Sequence, residues 1–119
     1  MSLEIAKVLL GAANLLTERG WGQGLEMVST AEAGGPLCIN LALAAAANAR
    51  GVSLSQVQRA FIAKRGITIV VFHDGFAGMP REDLGQSLVD WNDDPERTEV
   101  EVIAALLSAG SRIAEEVLP

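Results

Sequence analysis

The segment at residues 90–101 carries oxygen-bearing side chains at spacings that could bind calcium. Five of them match positions one, three, five, nine and twelve of a calcium-binding loop between two helices: Asp90, Asn92, Asp94, Thr98 and Glu101. Position six of such a loop needs a glycine with positive φ, whereas Pro95 fixes φ near roughly −65°. The segment therefore favours a turn between two helices, and calcium binding is a minor alternative.

Residues 44–65 could form a helix-turn-helix that binds DNA. Ala47, Gly51 and Val57 have the spacing of a small residue, a turn glycine and an apolar residue that lets two helices pack closely. The basic cluster of the chain lies in this region and would supply the phosphate contacts: Arg50, Arg59, Lys64 and Arg65. The net charge of −6 argues against a nucleic-acid partner, so DNA binding is a second choice.

Residues with nucleophilic or metal-binding chemistry are few. His73 precedes Asp74, but no serine or cysteine nucleophile with a local signature accompanies this pair. One histidine and one cysteine, Cys38, leave the usual zinc ligand set unfilled. We therefore expect no catalytic residue, no cofactor and no metal ion, and an enzyme is the third choice.

The elements that carry these residues are predicted to be mainly helices. Apolar residues recur at helical spacing in five segments, 3–19, 36–50, 53–65, 80–90 and 98–117. The last of them carries the apolar residues Val102, Ile103, Leu106, Leu107, Ile113 and Val117. The β-branched run 67–72 could pair with residues 25–29 as a short two-stranded β-hairpin. The prediction is a mainly α bundle of about five helices, with an α+β domain as the minor alternative.

Length and composition predict one acidic domain over residues 1–119, since no linker or charge block divides the chain. The longest apolar run, 37–49, is interrupted by asparagines and is shorter than the roughly 20 residues of a membrane span. A single cysteine cannot form an internal disulfide, and the N-terminal residues do not read as a signal segment. We therefore expect a cytoplasmic protein without membrane contact.

Three stretches resemble a small domain family of actinobacteria and their phages: GWGQG at 20–24, the cysteine-bearing helix at 36–47, and the Trp-Asn-Asp segment at 91–110. The resemblance skips roughly residues 50–89. The residues that carry it are Gly20, Trp21, Gln23, Gly24, Cys38, Trp91, Asn92, Asp93, Arg97 and Thr98. The resemblance implies no activity, because the family's function is uncharacterised.

We interpret these motif residues as structural, placed at joints where helices meet and turn. The tryptophans at positions 21 and 91 would close the ends of the core, although an exposed tryptophan would instead suit a protein interface. The function that the sequence favours is a non-enzymatic interaction or accessory protein. We expect a protein partner or self-association, with a dimer as one form.

Overall fold

Five helices form the described part of the chain, which in this computed structural model comprises residues 3–24, 33–65 and 81–117. Their bounds are α1 Leu3–Arg19, α2 Ile39–Arg50, α3 Leu54–Arg65, α4 Arg81–Asn92 and α5 Glu99–Val117. The predicted mainly α bundle is confirmed. The predicted hairpin strands at 25–29 and 67–72, and His73 with Asp74, lie outside the described residues.

Helix α1 buries one apolar face in the bundle, because its apolar side chains recur every three or four residues. It packs most extensively against α5 and next against α2. Its buried face consists of Ile5, Ala6, Val8, Leu9, Ala12, Ala13 and Leu16. At Gly110 the approach of α5 to α1 is so close that a Cβ atom there would lie 3.0 Å from Leu10 Cδ2. The absence of a side chain at Gly110 therefore sets the distance between these two helices.

The connection from α1 to α2 begins at Gly20, whose φ of 94° is a left-handed conformation that favours glycine. The Gly20 N–H still donates to the Leu16 carbonyl at 2.8 Å and closes the last turn of α1. Trp21 and Leu37 then form a parallel β-bridge, in which Leu37 N–H donates to Gly20 O and Gly22 N–H donates to Leu37 O. This bridge holds Leu37 extended, so α2 starts at Ile39 rather than at the predicted residue 36.

The alanine-rich helix α2 and helix α3 meet at a tight turn. Helix α2 ends at Gly51, and the Val52 N–H returns to the Ala47 carbonyl at 3.0 Å. Phe61 of α3 is completely buried, as are Leu84 and Leu88 of α4.

No helix in the described ranges is long and apolar enough to cross a membrane.

Candidate functional site

The side chain of Asn92 is the centre of a buried hydrogen-bond network at one end of the bundle. Its Oδ1 accepts from Trp21 Nε1 at 2.6 Å and from the Ile39 N–H at 2.9 Å. Its Nδ2 donates to Gly22 O at 3.1 Å and to Asp93 Oδ1 at 3.0 Å. An amide side chain has two acceptor and two donor positions, so all four are used here. Asn92 is 0% exposed and has no hydrogen-bonding capacity left for a ligand.

Gln23 and Asp93 continue this network towards the surface. Gln23 Nε2 donates to the backbone carbonyls of Asn92 and Asp94, each at 2.8 Å. Asp93 Oδ1 accepts from the Gly24 N–H at 3.2 Å. We call the contacts of Trp21, Gln23, Gly24, Asn92 and Asp93 the Asn92 network. It ties the α1–α2 connection and the start of α2 to the end of α4.

Trp91 lies between an aromatic ring and a cation. The Phe61 ring meets it edge to face, with centroids 5.7 Å apart and an interplanar angle of 74°. The Arg97 guanidinium carbon lies 4.1 Å from the centroid of the Trp91 ring, while Arg97 Nε donates to Trp91 O at 3.0 Å. Both tryptophans are partly buried and pack against the core. These positions agree with the interpretation that the rings close the end of the core.

The segment predicted as a calcium-loop alternative forms a helix-connecting turn. Thr98 and Glu101 form a capping box, in which Glu101 N–H donates to Thr98 Oγ1 and Thr98 N–H donates to Glu101 Oε1, both at 3.2 Å. Asp94 Oδ1 accepts from the Glu96 N–H at 2.9 Å and closes the turn. Within the described ranges, no three His, Cys, Asp or Glu side chains are grouped so that they could hold a metal ion.

The basic cluster proposed for DNA contacts is partly engaged by acids. Arg50 Nη1 lies 3.1 Å from Glu4 Oε2, and Lys64 pairs with Glu116. The Arg50 hydrogen bond lowers the pKa of the Glu4 carboxyl below its ordinary value. Arg59 is half-buried, and the side chain of Arg65 lies outside the described part. Since Arg50 and Lys64 already contact carboxylates, this arrangement does not favour phosphate binding.

Helix α3, the recognition helix of the helix-turn-helix alternative, buries one face in the bundle and exposes the other. Val57, Gln58, Ala60, Phe61 and Ile62 are all buried. Gln58 Nε2 donates to Asn40 Oδ1 at 2.8 Å, so this glutamine binds inside the protein. A helix that reads base edges needs an exposed face rich in polar side chains, whereas the outward face of α3 carries Gln56, half-buried Arg59 and Ala63. The DNA-binding alternative stays a prediction without support from these positions.

Cys38 immediately precedes α2 and is buried, with 8% of its surface exposed. Burial raises the pKa of its thiol above the ordinary value, because the thiolate loses solvation. Such a cysteine is a poor nucleophile at neutral pH. Its position agrees with the predicted role as a small apolar residue.

An exposed apolar stripe on α5 is the feature that the sequence analysis missed. Val100 and Leu107 are 77% and 43% exposed, and they lie on one face because seven residues make almost two helical turns. Ala104 and Ser111 are exposed on the same face, with half-buried Ile103 and Ala114 at its border. We call these six residues the outer stripe. Leu107, an apolar residue of the last predicted helix, points away from buried Val102 and Leu106.

A shallow cleft of about 340 Å³ runs beside the outer stripe, at the joint between α4 and α5. Its lining residues are Trp91, Arg97, Glu101, Ala104, Ala105 and Ser108. Arg97 Nη1 lies 3.4 Å from Glu101 Oε2, so one wall of the cleft carries a charged pair. The sequence could have revealed this surface, because α5 has two sets of apolar residues at helical spacing. Val100, Ala104 and Leu107 form a second set beside the one that faces the core.

The chain matches a family of unknown function, DUF6197, over residues 1–112, and it belongs to that family. The match includes residues 50–89, which the resemblance of the motifs had skipped. No curated protein matches the chain, and no solved structure matches it.

Proposed function

We propose that this member of a family of unknown function is a non-enzymatic interaction protein that binds its partner through the outer stripe of α5. The observation that carries the proposal is the exposure of Val100 and Leu107 on a face opposite the core. Single exposed apolar residues are ordinary on protein surfaces, but a row of apolar residues along one exposed helix face is typical of an interface. Its residues lie on a rigid helix, so binding requires little ordering of the backbone.

The Asn92 network supports the non-enzymatic part of this proposal. Its central amide is fully bonded within the protein, so the motif residues stabilise joints between helices and offer no open site for a substrate. The capping box uses Thr98 and Glu101 in the same way. A conventional reaction centre needs a polar group with spare bonding capacity beside a pocket, and the buried Asn92 amide has no such capacity.

The setting of this interaction follows from the resemblance of the motifs. We infer from it an accessory protein of an actinobacterium or one of its phages, and we infer a cytoplasmic location from the single cysteine. DNA binding through residues 44–65 and calcium binding near 90–101 are weaker alternatives, since the side chains that they require contact other groups of the chain.

Site-specific photo-crosslinking in the native host tests the proposal. A photoreactive phenylalanine analogue replaces Val100 in one version of the protein and Ala45, an exposed residue of α2, in a matched control. We expect a discrete protein adduct from position 100, absent from position 45 and lost when Leu107→Glu is added. Equal labelling from both positions, or none from position 100, would contradict the proposal.

A further inference from the structure

We propose that the occupant of the outer stripe is a second copy of this chain, with two α5 helices packed antiparallel about a two-fold axis at Leu107. This inference rests on the proposed function, since it uses the same surface and names what covers it. A two-fold contact joins one surface to itself, so each residue must suit the residue that the rotation places opposite it. The outer stripe meets this condition in both size and charge.

The sizes of the stripe residues are complementary about Leu107. Val100 precedes Leu107 by seven residues and Ala114 follows it by seven, so the rotation places the exposed valine on the small alanine of the other copy. Ile103 and Ser111 are likewise four residues to either side. Large residues thus face small ones, the arrangement in which side chains of two helices interdigitate.

The charges beside the stripe are complementary as well. Glu101 and Arg112 are eleven residues apart, just over three helical turns, so they lie on the same flank of the stripe. In an antiparallel pair, like flanks meet on the same side of the interface. Leu107 lies near the midpoint between them, so Glu101 of each copy faces Arg112 of the other. The pairing forms two equivalent opposite-charge contacts.

The cleft beside the outer stripe accommodates this arginine. The cleft is lined by Glu101, Trp91 and Ser108 among others, and the small side chains of Ala104 and Ala105 leave space in it. The guanidinium of the other copy's Arg112 would enter beside the Glu101 carboxylate and near the Trp91 ring, and a guanidinium is suited to both groups. Arg112 is exposed, and its Nη1 donates to Lys64 O over a long 3.4 Å, a contact weaker than a pairing with a carboxylate.

The interface predicted in this way is small. Helix α5 has 19 residues, a length of roughly 28 Å at 1.5 Å per residue. Two such helices bury an area at the lower end of specific interfaces. We therefore expect a dimer in reversible equilibrium that dissociates on dilution through the micromolar range. The acidic residues beside the stripe, Glu99, Glu101 and Glu115, oppose binding to an anionic membrane.

Sedimentation equilibrium over a concentration series tests the pairing on the full chain. We expect the wild type to dimerise and Leu107→Glu to raise the dimer dissociation constant at least about tenfold, since it places two carboxylates at the two-fold axis. Ala45→Glu adds the same charge on exposed α2 and should leave the constant unchanged. A wild type that stays monomeric at millimolar concentration, or a dimer indifferent to Leu107→Glu, would overturn the inference.

A charge exchange tests the orientation. Glu101→Arg and Arg112→Glu should each weaken self-association, because each places like charges opposite one another. An equimolar mixture of the two variants restores both opposite-charge contacts and should form a heterodimer of near wild-type affinity. Glu101→Arg also removes the capping box with Thr98, so circular dichroism of each variant verifies that it is folded. Single variants that self-associate as tightly as the wild type would refute antiparallel pairing, and a mixture that associates no better than its components would refute the Glu101–Arg112 contacts.

The two proposals fail in different ways. A monomer whose position 100 crosslinks specifically to another host protein would retain the proposed function and remove the second copy as occupant. A dimer disrupted by Leu107→Glu, with the position-100 adduct at twice the chain mass, would support both. A monomer with no specific adduct would remove both.

Discussion

The Oδ1 atom of Asn92 lies 2.6 Å from Trp21 Nε1, although 71 residues separate the two in the chain. The same oxygen accepts from the backbone N–H of Ile39. One side chain therefore connects three segments of the fold: the end of α1, the start of α2 and the end of α4. A buried donor that loses its acceptor costs free energy, so this contact has consequences for stability that can be measured.

Replacing Asn92 by alanine should lower the free energy of unfolding by about 3 kcal/mol, since the Trp21 indole N–H and the Ile39 N–H lose their acceptor. Urea unfolding followed by circular dichroism gives this value. Asn14→Ala, at an exposed position of α1, is the matched control and should change stability by less than about 0.5 kcal/mol. Equal effects from both variants would show that the Asn92 network does not stabilise the fold.

Replacing Asn92 by aspartate should give a protein whose stability depends on pH. Aspartate keeps both acceptor contacts but loses the donors to Gly22 O and Asp93 Oδ1, and it brings a second carboxylate beside Asp93. Protonation restores a donor and removes the repulsion. We expect this variant to gain thermal stability relative to the wild type on moving from pH 8 to pH 5. An unchanged difference in melting temperature over that range would contradict this account.

Gly110→Ala and Gly85→Ala should have opposite effects on stability. At Gly110 the new Cβ would meet Leu10 Cδ2 at 3.0 Å and the Ala6 carbonyl oxygen at 3.3 Å, whereas at Gly85 its nearest neighbours lie at 3.6 Å. Alanine in a helix interior gains about 0.5–1 kcal/mol over glycine, but overpacking costs about 1–3 kcal/mol. Calorimetry should show a lower melting temperature for Gly110→Ala and a higher one for Gly85→Ala. Equal shifts in melting temperature for the two variants would mean that α1 and α5 can move apart to accommodate the new methyl group.

Cys38 should react slowly with iodoacetamide at pH 8, because burial raises the pKa of its thiol and blocks access to it. Urea should restore the rate of an unstructured thiol. Because the thiol pKa is raised, the free energy of unfolding is unaffected while the pH lies below the ordinary pKa of cysteine. It falls as the pH rises above that pKa. The control carries Cys38→Ala with Ala45→Cys on the exposed face of α2 and should react quickly without urea. Similar rates for the two folded proteins would disprove burial of the thiol.

Arg50→Gln should raise the pKa of the Glu4 carboxyl towards its ordinary value, since the Arg50 hydrogen bond is the main cause of the lowering. A carboxyl with a lowered pKa stabilises the fold above the pKa of the unfolded state, and this contribution disappears as the pH falls through the folded value. The stability difference between Arg50→Gln and the wild type should therefore shrink in acid. Carbon-detected NMR titration of Glu4 measures the shift directly, and Lys7→Gln, which removes a 3.5 Å contact to the same carboxyl, should cause a smaller one.

Much of the fold could be predicted from the sequence because apolar periodicity is a local signal. It located α1 to the residue, and the capping box at Thr98 and Glu101 located the start of α5. The start of α2 was predicted three residues early, since the bridge of Leu37 to Trp21 depends on a segment 16 residues away. A local residue pattern cannot indicate a contact between two distant segments.

The site was harder to predict than the helices. The sequence marked Trp21, Asn92 and Asp93 as residues at joints between helices. It could not show that Asn92 contacts Trp21 and Gly22, because each of these contacts joins residues about 70 positions apart in the chain. It also could not show that Leu107 is exposed, since two apolar faces overlap on α5 and periodicity alone does not tell which one is covered. Only the packing of α1 and α3 against α5 decides that.

The parallel bridge and the Asn92 network together bear on how the chain acquires its fold during synthesis. Residues 20–24 and 37–39 leave the ribosome long before Asn92, which supplies the acceptor for the Ile39 N–H. Until then the first two helices can associate only loosely, because closing this long loop must await the later residue. A nascent chain arrested before residue 91 should remain sensitive to protease, and one that extends through α5 should become resistant in a single step.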